Sequence, residues 1–237
     1  MHDENAIAWR KIGLEGAVIV VSILLAFAID AWWEERNARD AELEQLARVA
    51  QELDANTQRL QRKLKVVERS IAGTEELISW MGPEPVDVDP EVYHAIWFKF
   101  FSIGMYSVLR GAAQEYLANG TAGNTRHAAI RDALSRWHTA ADDLEEQYSL
   151  LRVAHARIND YAEDSVPVLH DVIANLAVNP GIVSKFPHDQ DVLLSDPYFE
   201  SRLATYLIRM EFVSFQASDM LDRQEELISL IEAATTQ

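Results

Sequence analysis

The chain has 237 residues, of which 49% are hydrophobic, and its formal net charge is −17, from 38 acidic and 21 basic residues. This charge disfavours nucleic-acid binding, which requires clustered Lys and Arg. The absence of cysteine excludes disulfides, zinc–thiolate sites and thiol nucleophiles. The length suits one large domain, or one domain with an appendage.

A short N-terminal tail, residues 1–11, precedes an apolar segment. Residues 12–33 are interrupted by charge only at Glu15 and Asp30. As a helix this segment would be about 33 Å long, enough to cross a hydrocarbon core of about 30 Å. Aromatic and basic residues mark both of its ends, as at membrane interfaces. The predicted membrane-interface residues are Trp9, Arg10, Lys11, Trp32 and Trp33. The sequence therefore predicts a transmembrane helix in a lipid bilayer.

Two other interpretations of this segment remain open. It could be a cleaved export signal, with Arg10 and Lys11 as its basic region and a small-x-small motif at 26–28 as its cleavage site. It could also be a buried core helix, although such helices are rarely apolar on all faces. The helical pattern runs straight through 26–28, which favours an uncleaved span. The long acidic domain after the span, and the basic pair before it, favour an extracytoplasmic C-terminal domain.

Residues 34–237 are predicted to form an α-helical bundle domain. It begins with a long stalk helix over 34–81, because no Pro or Gly interrupts residues 17–72 and the pair Gly82-Pro83 then stops the helix. Its apolar residues alternate at spacings of three and four, which is typical of a helix-packing seam. The seam residues are Leu43, Leu46, Ala50, Leu53, Thr57, Leu60, Leu64, Val67, Ile71, Thr74, Ile78 and Met81.

Three further helical regions follow: aromatic helices over 90–118, middle helices over 125–178 and a C-terminal helix over 196–235. The three-four spacing predicts a seam on the middle helices, formed by Ile130, Leu134, Trp137, Ala141, Leu144, Tyr148, Leu151, His155 and Ile158. It predicts another on the C-terminal helix, formed by Leu203, Tyr206, Met210, Val213, Ala217, Met220, Gln224, Leu227 and Ile231. Asp89-Pro90 and Asp196-Pro197 each resemble an N-cap followed by a first-turn proline. No strand-like alternation is present in the sequence. The prediction is an all-α fold, in which the N-terminal transmembrane helix continues into a long helix packed in an antiparallel helical bundle.

Few residues are candidates for chemistry. Glu91 and His94 have the Glu-x-x-His spacing of di-iron bundles, but it occurs once here and those proteins use it twice. We therefore predict no metal, no cofactor and no catalytic residue. His155 lies on the seam of a middle helix, where a hydrogen-bonded core residue is the usual case. A dense aromatic cluster could be bundle core or could line an apolar pocket. The residues of this possible pocket are Tyr93, His94, Trp97, Phe98, Phe101 and Tyr106.

The stretch "AFAIDAWWEERNARDAELEQLARVAQEL" resembles the start of an uncharacterised bacterial family that carries a domain of unknown function. Its pattern Asp-x-x-Trp-Glu-x-Arg is matched by Asp30, Trp33, Glu34 and Arg36. "HAAIRDALSRWH" and "VLLSDPYFESRLATYL" resemble later segments of that family, whereas "GAAQEYLANGTAGNT" departs from it. The resemblance implies a single-pass membrane protein with a helical domain, and it implies no activity.

These patterns together predict a non-enzymatic protein that is anchored in the membrane and acts through protein–protein interaction. It would be a scaffold or accessory subunit, bound to a protein partner or forming a homo-oligomer. One alternative is an extracytoplasmic sensor or small-ligand-binding domain that uses the aromatic pocket. The other is a metal-dependent enzyme, which would need inward carboxylates around His94 or His155.

Overall fold

The computed structural model describes residues 3–101, 106–119, 127–167, 185–186 and 189–236. For residues 3–15, 17, 98 and 101 it describes the backbone alone. The predicted all-α fold is confirmed, because these residues form helices and no strand. The predicted short helix within 168–178 lies outside the described residues. The helices are α1 (Asp3–Trp80), α2 (Pro90–Phe101), α3 (Gly111–Asn119), α4 (Ala128–Ser165), α5 (Asp191–Leu194) and α6 (Pro197–Thr235).

Contacts between residues divide the chain into two units. The first, Met1–Arg48, contains the N-terminal part of α1. The second, Val49–Gln237, contains the rest of α1 and the other helices, which form a helical bundle.

The two long helices α4 and α6 pack along the seams that the sequence predicts. Their direction is antiparallel, because Tyr161 near the end of α4 stacks on Phe199 at the start of α6, with ring centroids 6.4 Å apart. On α4 only His155 among the seam residues is half-buried, and the others are buried. The buried seam of α6 consists of Leu203, Tyr206, Met210, Val213, Ala217, Met220, Gln224, Leu227 and Ile231.

Within the second unit, α1 buries a broader face than the predicted seam. Leu53, Leu60, Val67 and Thr74 are buried as predicted. At four other seam positions the buried residue lies one position before the predicted one. These buried residues are Val49, Asn56, Ser70 and Leu77, with Ala50, Thr57, Ile71 and Ile78 only half-buried. A bundle helix with neighbours on two sides buries a wide face. The predicted seam, which follows a single three-four spacing, covers a narrower part of α1.

A polar side-chain pair joins α1 to α6. The hydroxyl of Thr57 donates a hydrogen bond of 2.7 Å to Oε1 of Gln224, whose side chain is fully buried. At the end of α1, the Gly82 N–H donates to the Leu194 carbonyl at 3.0 Å. The two helices are therefore antiparallel. A shift in register would separate the buried Gln224 Oε1 from this donor, so the bond favours one alignment of the two helices.

Helix α2 lies close against α1. The Ser70 hydroxyl donates to the Lys99 carbonyl at 3.0 Å. A Cβ placed on Gly73 would lie 3.0 Å from the Lys99 Cβ, so glycine permits this approach. The helix starts are as predicted: Asp89 accepts from the Glu91 N–H and Asp196 from the Tyr198 N–H, each at 2.8 Å. The cap predictions are therefore confirmed.

Candidate functional site

The apolar segment of α1 exposes its large side chains on every face of the helix. Each of them between Val18 and Trp33 is 50–67% exposed. They are Val18, Ile19, Val20, Val21, Ile23, Leu24, Leu25, Phe27, Ile29, Trp32 and Trp33. Single exposed hydrophobic residues are ordinary, but a continuous patch marks an interaction with a partner or a membrane.

Of the two ends of the predicted span, the structure describes the side chains of the C-terminal end. At the C-terminal end, the Arg36 guanidinium lies 5.6 Å from the Trp32 ring centroid, a cation–π contact. Asp30, Trp33, Glu34 and Arg36, the residues of the predicted resemblance, are exposed on this part of α1. The side chains of Trp9, Arg10 and Lys11 lie outside the described residues. Among the residues that the structure describes, no helix has a stretch long and apolar enough to cross a membrane.

The aromatic cluster is packed in the bundle. Tyr93, Trp97 and Phe100 of α2 are at most 1% exposed. The Trp97 ring stacks on Phe199 with centroids 5.9 Å apart, and the Phe100 ring meets Tyr206 edge-on at 5.1 Å. These are the preferred separations and orientations of packed aromatic pairs. The rings therefore connect α2 to α6.

The residues of the possible pocket divide into two groups. Tyr93, His94 and Trp97 lie together, since Tyr93 contacts both neighbours with ring centroids 5.8 and 5.6 Å apart. Tyr106 instead packs against Tyr148 of α4, with centroids 5.4 Å apart. The side chains of Phe98 and Phe101 lie outside the described residues. The described rings of the first group contact one another, which favours bundle core over a ligand pocket.

Burial makes the tyrosines of the bundle poor acid–base groups. Removal from water raises the pKa of Tyr106 to about 12. The same cause raises the pKa of Tyr148 and Tyr206 further. Desolvation disfavours the charged phenolate in each case. These hydroxyls therefore stay neutral at physiological pH, which suits a structural role.

The segment before α3 is not helical, although the sequence predicts helix there. Residues 106–110 carry no helix, and α3 begins at Gly111. Fully buried Asn56 of α1 holds this segment with two bonds to Leu109, donating from Nδ2 to its carbonyl at 2.8 Å and accepting from its N–H at 2.9 Å. The side chain thus replaces the bonds that a helix would supply.

Acidic side chains from α1 and α4 also bind residues 106–110 and the start of α3. Glu52 of α1 accepts from the N–H groups of Ala112 and Ala113 at 2.9 and 3.1 Å, which satisfies the N-terminus of α3. Glu145 of α4 accepts from the Val108 N–H at 2.7 Å and from Arg110 at 2.6 Å. The segment therefore joins α1 to α4.

Replacing Asn56 with alanine should lower the free energy of unfolding by about 2–3 kcal/mol. The change removes two hydrogen bonds and leaves the Leu109 N–H and carbonyl without this partner. Gln58→Ala is the matched control, because exposed Gln58 bonds to Asp54 on the same helix, and it should cost under about 0.5 kcal/mol. Urea denaturation of the detergent-solubilised chain measures both. Equal effects would show that Asn56 does not hold the segment.

His155 lies half-buried on the inner side of α4. Its ring is 5.7 Å from the rings of Phe100 and of Tyr206, and its Nδ1 lies 3.4 Å from the Asn159 amide nitrogen. Removal from water lowers the pKa of His155 below its usual 6.5, because burial disfavours the imidazolium. The neutral ring is therefore a structural part of the aromatic core.

Stability should fall as the pH is lowered from about 6.5 toward the depressed pKa of folded His155. In this window the unfolded chain binds a proton near pH 6.5 and the folded chain does not, so protonation favours unfolding. Above the window both states are neutral and the stabilisation is complete. Melting temperatures between pH 7.5 and 5 should fall less steeply for His155→Gln than for the unchanged protein. Parallel curves for the two proteins would contradict this assignment.

Two surface grooves run between α4 and α6. The first, of 410 Å³, is lined by α4 residues near Arg136 and by α6 residues from Phe215 to Arg223. The second, of 480 Å³, lies nearer the end of α4, around Tyr161 and Arg202. The Arg202 guanidinium lies 4.1 Å from the Tyr161 ring centroid. Both grooves are shallow and charged, unlike the enclosed apolar pockets that hold small ligands.

The Glu-x-x-His pair and the seam histidine do not lie in a metal-binding constellation. In the described ranges, no group of three or more His, Cys, Asp or Glu side chains is placed to hold a metal ion. Glu91 is exposed and His94 is half-buried beside Tyr93.

Sequence reasoning missed two features of this structure. Asn56 lies one residue before the predicted seam residue Thr57, and the three-four spacing carries no signal that Asn56 is buried. Helix α6 carries a second apolar stripe outside its buried seam, formed by Ile208, Phe212 and Phe215, which are 57%, 53% and 74% exposed. Their four-three spacing places them on one helix face.

The chain was compared with protein families, curated proteins and solved structures. No family model matches the chain, and neither the curated proteins nor the solved structures contain a significant match.

Proposed function

We propose that this protein is a single-pass, membrane-anchored helical bundle that acts through protein–protein interaction, as a scaffold or accessory subunit of a membrane complex. The observation that carries this proposal is the exposure of eleven large apolar side chains on all faces of α1 between Val18 and Trp33. Transfer of such side chains out of water yields about 1.5–3 kcal/mol each. Their combined driving force, on the order of 20 kcal/mol, exceeds the stability of a typical domain.

The proposed anchor is residues 12–33, with the bilayer covering the exposed side chains. Exposure on every face suits lipid better than a core, because a core helix is covered by its own bundle. Trp32 and Trp33, next to the charged stretch that starts at Glu34, suit the boundary between hydrocarbon and headgroups. The resemblance at Asp30, Trp33, Glu34 and Arg36 to a bacterial membrane-protein family agrees with this placement.

The proposed location is the bacterial plasma (inner) membrane, with the helical domain on the extracytoplasmic side. An interaction role, and no catalysis, fits the described bundle, whose buried tyrosines and histidine are held neutral by burial. A sensor that binds a small ligand would need space at Trp97. The stacking of that ring on Phe199 and Tyr93 favours the interaction role.

Membrane fractionation with cysteine labelling tests attachment and sidedness together. The chain has no cysteine, so a single cysteine at exposed Gln61 reports on the domain and one at Asn5 reports on the tail. We expect the protein to stay in the membrane after alkaline carbonate extraction and Gln61→Cys to react with an impermeant maleimide in spheroplasts. Asn5→Cys should react only after lysis.

Three results would contradict parts of the proposal. Full-length protein in the soluble fraction would contradict the anchor. A mature mass that lacks residues 1–28 would show a cleaved export signal. Labelling of Asn5→Cys, but not Gln61→Cys, in spheroplasts would reverse the proposed orientation.

A further inference from the structure

The outer face of the α4–α6 pair carries an exposed apolar stripe. Ile208, Phe212 and Phe215 of α6 follow the four-three spacing of a packing seam, yet all are more than half exposed. On α4, Leu150 and Val153 are exposed as well. Helix α6 therefore has two seams: the buried one packs within the bundle, and the second one faces outward.

Charged grooves lie at both ends of this stripe. Phe215 lines the first groove, which contains two arginines and two aspartates: Arg136, Asp143, Asp219 and Arg223. The second groove has the same composition: Arg157, Asp160, Asp164 and Arg202. Thr205, three residues before Ile208, lines this second groove. An apolar centre between polar ends is the usual anatomy of a protein–protein interface.

The balance of charge in these grooves favours a second copy of this chain as the partner. The whole chain carries −17, so most surfaces of two copies repel each other. Each groove has as many arginines as aspartates. A groove that meets its own symmetry copy can therefore place arginine opposite aspartate in both directions, which is the self-complementarity that an isologous contact requires.

The area of this face is sufficient for a stable dimer. Its grooves extend along α4 from Arg136 to Asp164, which is about 42 Å of helix. Two adjacent helices are about 20 Å wide. The resulting area of about 800 Å² per copy equals the contribution of one partner to an interface of standard size.

We propose that the α4–α6 face binds the same face of a second copy of this chain, with a two-fold axis parallel to the two helices. Such an axis places each groove opposite its own copy and brings Phe212 and Phe215 to the centre of the interface. This inference rests on the proposed interaction function and names the partner as a second copy.

Sedimentation of the full chain in mild detergent tests the dimer. The unchanged protein should be dimeric at micromolar concentration. Phe212→Glu and Phe215→Glu should each weaken dimerisation at least about 30-fold, as expected for a central aromatic residue. Val92→Glu, which changes an exposed valine of α2, is the matched control and should leave the dimer intact. Circular dichroism checks that each variant is folded.

Cysteine crosslinking in native membranes tests the symmetry. Thr139 lines the first groove and Thr205 the second, and both are exposed. With an axis parallel to the helices, Thr139→Cys and Thr205→Cys should each form disulfide-linked dimers alone, whereas Gln61→Cys on α1 should not. A crosslink that forms only between Thr139→Cys and Thr205→Cys would overturn the proposed axis.

The outcomes separate this inference from the proposed function. A membrane-bound protein that sediments as a monomer, or that pairs through this face only with a different protein, would contradict the proposed dimer. The proposed membrane anchor would be unaffected. A protein that is found in the soluble fraction as a dimer, and whose dimer dissociates on Phe212→Glu, would contradict the membrane anchor and support the proposed dimer. Dimers unaffected by both phenylalanine substitutions would place the interface elsewhere and overturn the inference.

Discussion

Joint replacement of Val21 and Leu24 by arginine should release the protein from the membrane fraction. Both side chains are 62% exposed near the middle of the apolar segment. Each arginine at the centre of a membrane helix costs about 2.5–3.5 kcal/mol. The pair therefore opposes insertion by about 6 kcal/mol, which corresponds to roughly four orders of magnitude in the partition equilibrium. Immunoblots of membrane and soluble fractions after carbonate extraction measure the change.

The control adds the same two charges outside the apolar segment. Gln51 and Gln61 are exposed on the part of α1 that belongs to the bundle. The variant Gln51→Arg with Gln61→Arg should remain in the membrane fraction. If the Val21 and Leu24 variant also stays there after extraction, lipid does not cover the apolar segment, and a protein partner must be sought for it.

Replacing Trp97 with alanine should lower the free energy of unfolding by about 3–5 kcal/mol. The side chain is 1% exposed and stacks between Tyr93 and Phe199. Its removal leaves a cavity where α2 meets α6, since the surrounding helices cannot close over it completely. Chemical denaturation followed by circular dichroism measures the loss.

An exposed aromatic residue provides the comparison for Trp97. Phe215→Ala changes a ring that is 74% exposed and should alter the stability of the monomer by less than about 0.5 kcal/mol. The comparison also bears on the sensor alternative. If Trp97→Ala costs as little as Phe215→Ala, the ring does not belong to the core, and a ligand pocket at this place becomes the better account.

The seams of α4 and α6 were predictable because their pattern is local. Leu144, Leu151, Met210 and Val213 lie in three-four spacings that define one helix face, and in these helices the predicted face is the buried one. The caps at Asp89 and Asp196 were predictable for the same reason, since each bond joins residues two apart. Helical repeat and capping depend on neighbours in the chain.

The candidate site was predictable only in part. The apolar segment is evident from its composition, and its described side chains are exposed. The aromatic residues were recognised as a group, but Tyr106 packs with Tyr148 and not with Trp97. Tyr106 lies in the non-helical segment 106–110, which is bound by Asn56, a residue 53 positions away from Leu109.

By itself, the sequence determined that the chain is helical, where α2 and α6 begin, and which faces of α4 and α6 are apolar enough to pack. Only the tertiary structure decided that a second apolar stripe of α6 stays exposed, that the buried face of α1 is displaced from its predicted seam, and where the chain leaves the helix before α3. The reason is physical. Helix formation and capping are satisfied within a few residues, whereas burial is a property of the neighbours that α4, α2 and α3 bring from distant parts of the chain.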